Sequence, residues 1–126
     1  MAEAGFSLDT LDSRLRSDDT SQAAAAAWEV LHLAERFADA MAWETGVDTV
    51  QALAAAHSCG EARRYLAVPV AGRSAHLPAA EPADLARLLA YLTTDADRLL
   101  DSAARHQAAA AQQAFSALAG TWRTTP

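Results

Sequence analysis

A start signal, a long helical alternation of apolar and polar positions and a stop signal come together in residues 20–46. Asp19 and Thr20 offer N-cap oxygens, Gln22 stands three residues beyond Asp19 in capping-box spacing, and the alanine run at 23–27 has the lowest intrinsic helix cost. The predicted helix stops at Thr45 and Gly46, because glycine takes the left-handed conformation that closes helices. At a rise of ~1.5 Å per residue it would be roughly 37 Å long. Its successive residues turn by ~100°, which gathers Ala27, Val30, Leu31, Leu33, Ala34, Phe37, Ala38 and Met41 on one broad apolar face.

The opposite face carries Trp28, His32, Glu35, Asp39 and Trp43 at spacings of four, three, four and four. Two tryptophans do not belong on a solvated surface, so this helix is expected to be covered from both sides. One reading makes the second stripe a packed face with its polar groups at the edge. The other makes it a pocket, with Trp28 and Trp43 as apolar ligand-binding walls and His32, Glu35 and Asp39 as catalytic or orienting groups. In that case a carboxylate sets which imidazole nitrogen of His32 carries the proton. A metal site is not expected, since His32 and Glu35 supply two ligands and no neighbour completes a tetrahedral set.

Upstream, Ser7 reads as a cap, and Phe6 and Leu11 stand in hydrophobic-staple positions for a short helix over residues 8–16. Leu8, Leu11 and Leu15 form a narrow stripe, enough to dock on this bundle or on a partner subunit but not to hold a helix alone. Downstream, Asp48 and Gln51 frame a capping box that opens a helix whose buried line is expected to be Val50, Leu53, Ala54 and His57. Ser58, Cys59, Gly60 and Glu61 repeat the signature and predict a kink or a restart at Gly60. His57 on an apolar line reads as a core histidine, and Cys59 beside it as an ordinary thiol rather than a nucleophile.

Residues 68–81 contain Pro69, Gly72 and Pro78, yet Val68, Val70 and Leu77 are too apolar for a solvated linker. The segment is expected to fold back over the bundle as an irregular loop, with Arg73 and His76 as candidate ligand contacts. Pro82 suits the first position of a last helix, whose apolar spacing then runs from Leu85 to Ala117 without interruption. Unbroken, that helix would be roughly 57 Å long, against a radius of gyration of ~14 Å for a globule of this size, so it would project well beyond the globule. Either the helix restarts after a kink around residues 94–97, or the excess is buried against a second subunit. Ser102 and His106 lie one turn apart on it, without the third group a hydrolase needs.

The apolar content of 52% leans on alanine, which suits helices packed closely and few strands. All ten basic residues are arginine, a bias that fits a GC-rich coding sequence. A formal net charge of −6 argues against nucleic acid and anionic membrane as partners. No stretch reaches the ~18 apolar residues of a membrane span, and the acidic N-terminus does not read as a secretion signal. With its single cysteine, the chain reads as cytoplasmic. There is no phosphate-binding glycine loop, cysteine-rich metal signature, cofactor motif or repeat.

The sequence therefore predicts an all-α protein. It comprises an N-terminal arm over residues 1–19 and a single four- or five-helix bundle over 20–126, with a long C-terminal helix, assembled as a homodimer. The expected function is a helical module that binds a peptide, small molecule or partner protein in an apolar groove. The competing expectation is a small cofactor-independent biosynthetic enzyme, of isomerase, cyclase or crosslinking type, using histidine and carboxylate as acid and base.

Overall fold

A computed structural model describes residues 8–66, 81–94 and 99–121, with the side chain of Leu8 outside that set. The described residues form five helices and no strand: α1 (Leu8–Leu15), α2 (Thr20–Met41), α3 (Thr49–Arg63), α4 (Pro82–Thr94) and α5 (Ser102–Thr121). The expected cap at Ser7, the loop at 68–81 apart from Glu81, and Asp95 to Asp97 of the expected restart all lie outside the described residues.

Local chemistry sets the ends of these helices. Asp19 caps α2 by accepting from the backbone amides of Ser21 (3.0 Å) and Gln22 (3.3 Å). The helix stops at Met41, short of Thr45, because the next bonds tighten to the three-residue kind, Glu44 N–H to the Met41 carbonyl at 3.0 Å being the shortest. Gly46, at φ 87°, then supplies the left-handed residue that turns the chain back. The hydroxyl of Thr49 donates to the Ala42 carbonyl (3.0 Å), which fastens the start of α3 to the end of α2. Asp48 caps α3 through the Gln51 amide (3.1 Å).

α3 does not break at Gly60; it continues to Arg63. Its buried side differs from the expected one as well. Ala52, Ala55, Cys59 and Ala62 face the core, while Val50 (79% exposed), Leu53 (40%), Ala54 and His57 face outward. The reason is space. α3 packs against both α2 and α5, and small side chains let helix backbones approach more closely than Val and Leu would. The chain therefore turns its smaller apolar stripe inward and leaves its larger one outside.

The continuous pattern from Leu85 onward forms two helices. α4 ends where the hydroxyls of Thr93 and Thr94 both donate back to the Ala90 carbonyl, at 3.0 and 2.8 Å. α5 begins at a cap that the spacing of apolar residues conceals, Asp101, whose carboxylate accepts from the Ala104 amide at 2.8 Å. Between them Leu99 and Leu100 are buried. The C-terminal helix is long, at 20 residues, but folds back on α4 rather than overhanging, and α2 with 22 residues is longer.

Four helices close a ring: α2 against α3, α3 against α5, α5 against α4, and α4 against α2. The rings of Phe37 and Phe115 meet across its diagonal at 6.5 Å. α1 docks on this same bundle, with Leu11 and Leu15 fully buried and the Arg16 guanidinium 4.2 Å from the centre of the Tyr91 ring on α4. No described helix is long and apolar enough to cross a membrane.

Candidate functional site

The second stripe of α2 does not behave as one surface. Trp28 is buried and Trp43, beyond the end of the helix, is 76% exposed. Between them His32 and Glu35 are half-buried and Asp39 is exposed. Trp28 and His32, one turn apart, stack with centroids 4.8 Å apart and planes at 21°.

A residue from the next helix completes this cluster. Arg63, in the last turn of α3, donates from Nε to Glu35 Oε1 at 3.1 Å and from a terminal nitrogen to the same oxygen, while its guanidinium lies 5.4 Å from the centre of the Trp28 ring. Gly60 leaves room for the approach: a Cβ placed there would lie 3.0 Å from Glu35 Oε2, at the end of a flexible side chain. Trp28, Glu35 and Arg63 thus tie α2 to α3, and the Glu35 carboxylate is taken up by that tie. Arg63 and Gly60 were not among the residues singled out from sequence as a site. They lie more than twenty residues from Glu35, and no local spacing announces the pairing.

Beside the tie lies a groove of about 340 Å³ bounded by His32, Glu35, Arg36, Asp39, Ala56 and Arg63. Its walls carry both signs of charge, and Ala56 is the single apolar residue among them. Three expected site residues, His32, Glu35 and Asp39, meet here; Trp28 lies behind the groove and Trp43 away from it. Arg73 and His76 are outside the described residues.

Under the tie, Cys59 is fully buried. Burial pushes its thiol pKa well up, the charge of Glu35 pushes the same way, and Arg63 opposes both. A thiol held protonated in this manner is a poor nucleophile. His57, two residues away, is on the exposed side of α3. Ser102 and His106 are both exposed on α5. Among the described residues, no group of three or more His, Cys, Asp or Glu side chains is placed to hold a metal ion.

The remaining feature is apolar and external. Val50, Leu53, Ala54 and His57 form a stripe along the outside of α3, and Trp43 is exposed in the turn that leads into that helix. Tyr65, 54% exposed, stands just beyond its C-terminal end. On the flank of α3 that faces α5, a shallow groove of about 400 Å³ is lined by Gln51, Ala54, Ser58, Gln113 and alanines of α5. Compared with protein-family models, curated proteins and solved structures, the chain matches none.

Proposed function

We propose that this chain is a non-catalytic helical module that binds a partner protein through the outer face of α3 together with Trp43. The observation that carries this reading is that α3 buries its stripe of small residues and leaves the larger apolar side chains of Val50 and Leu53 exposed. Large apolar side chains exposed together mark contact surfaces, and tryptophan is prominent among the residues that anchor protein contacts. The homodimer expected from sequence is proposed here on this exposed face, in place of a two-sided α2 and an overlong last helix. A single cysteine, which cannot form a disulfide within the chain, fits a reducing, cytoplasmic setting.

The groove at His32 favours a catalytic reading less, because Glu35 is committed to Arg63 and the groove lies open at the surface beside exposed Asp39. Titrating the protein with a panel of synthetic amphipathic helical peptides, followed by amide chemical shifts, separates the two sites. The expected shifts fall on Trp43, Val50, Leu53 and His57, and Trp43→Ala should weaken the best peptide by tenfold or more. Shifts confined to His32, Arg36 and Asp39, with His32→Gln abolishing them, would move the site to the groove.

A further inference from the structure

We infer that α1 is a detachable latch: it opens apart from the four-helix ring, and the seam it leaves between α2 and α4 receives an amphipathic helix of another protein, one with leucines a turn apart and an arginine after the second. This site is separate from the outer face of α3, and neither reading depends on the other.

The ring is not closed evenly. α2 packs extensively on α3, α3 on α5 and α5 on α4, whereas α2 and α4 touch the least of the four neighbouring pairs. α1 lies on that loosely closed side. It packs along α2 and reaches α4 through Arg16, whose guanidinium is 4.2 Å from the centre of the Tyr91 ring. Leu11 and Leu15, four residues apart on one face, are fully buried there, while Asp9 and Ser13 face solvent. The chemistry of the partner is read from this occupant. Leucines at i and i+4 enter the seam, and a guanidinium at i+5 settles on the aromatic ring.

Length makes α1 the element that opens. Its eight residues are too few to hold a helix in water, so α1 persists only while its leucines are docked, and leaving the seam also melts it. The conformational freedom recovered on melting offsets part of the burial lost. α2, α3, α4 and α5 each run for 13 residues or more and pack on at least two neighbours. The join between α1 and α2 is short and polar, through Ser17, Asp18 and Asp19. Asp19 caps α2 with its own carboxylate, on the amides of Ser21 and Gln22, so α2 keeps its start when α1 departs. The Phe37 and Phe115 contact across the ring involves no residue of α1. Tethered in this way, α1 competes with a partner helix at an effective concentration on the order of millimolar. Weak binders are thereby excluded and strong ones admitted.

Hydrogen exchange of the full chain reads the opening. The amides of Asp12 to Arg16 should exchange roughly a hundredfold faster, or more, than the most protected amides of α2. Arg16→Ala should speed them further and leave α2 to α5 unchanged. Equal protection in α1 and α2 would make α1 part of one cooperative core and overturn the latch.

The double change Leu11→Asp and Leu15→Asp then holds the seam open. A synthetic peptide of residues 6–18 should bind this variant, and should bind the parent about tenfold more weakly or worse, because the parent's seam is free for only a fraction of the time. The same peptide with both leucines replaced by aspartate should bind neither. A folded double variant that ignores the peptide would overturn the seam as a binding site. Loss of circular dichroism beyond the share of α1 would show that the ring needs α1, and would overturn the latch. Sedimentation of the parent at two chain masses, reduced to one by the double change, would put α1 of a second copy in the seam and overturn a separate partner.

Discussion

Gly60 and Cys59, one beside the other, show how much of the contact between α2 and α3 depends on small side chains. Gly60 is helical and has no need of a positive φ; its use is the room it leaves for Glu35. Alanine is better than glycine inside a helix by roughly 0.5 to 1 kcal/mol, and the atom it would crowd is the end of a flexible carboxylate. A shift of a few tenths of an ångström by Glu35 relieves the contact, so Gly60→Ala should stabilise the protein by about 0.5 kcal/mol and raise the melting temperature by a few degrees in thermal circular dichroism. A loss of stability would show that Arg63 holds Glu35 too rigidly to yield.

Cys59 makes stability depend on pH at the alkaline end. In the unfolded chain its thiol ionises near the ordinary value of about 8.5, whereas in the fold burial keeps the proton on well above that. Below the ordinary value both states are protonated and the contribution is fully present. Above it the folded state carries the extra proton, so unfolding becomes easier as pH rises, by at most about 1.4 kcal/mol per pH unit. Urea unfolding from about pH 8 to 10 should therefore show a steeper loss in the parent protein than in Cys59→Ala. Parallel curves would mean that the thiol ionises inside the fold.

At the scale of elements, the sequence announces helix starts better than helix faces. Asp19, Asp48 and Pro82 all stand where their residue types predict, because a cap is a contact between neighbours in the chain. The buried side of α3 is another matter. Two stripes compete, Val50 with Leu53 and Ala52 with Ala55, and hydrophobicity alone chooses the first. What decides is the gap between α2 and α5, a property of three helices together. The same limit applies at the tie, where the sequence singled out Glu35 but not the Arg63 that pairs with it. The division of α4 from α5 was concealed differently: leucine and alanine keep helical spacing through it, and only the two threonines and Asp101 mark the gap. Asp101→Ala should consequently cost about 1 kcal/mol in denaturant unfolding, the usual value of an N-cap. No cost would mean that burial of Leu99 and Leu100 positions α5 without the cap.

For the molecule as a whole, the all-helical bundle was legible because alanine content and helical periodicity agree along its length. Of the expected stripe, His32, Glu35 and Asp39 meet at one groove, but Trp43 does not join them, because α2 ends at Met41. Nearly half of the buried apolar residues among those described are alanine: Ala52, Ala55 and Ala62 on α3, and Ala104, Ala108, Ala111 and Ala114 on α5 among them. Such a core brings backbones together while hiding less hydrocarbon per residue than a leucine-rich one. Exposing it to water should therefore raise the heat capacity by less than the usual ~12–15 cal/mol/K per residue. A small increment flattens the curve of stability against temperature, so this bundle should hold nearly the same margin from the cold to the warm end of its range.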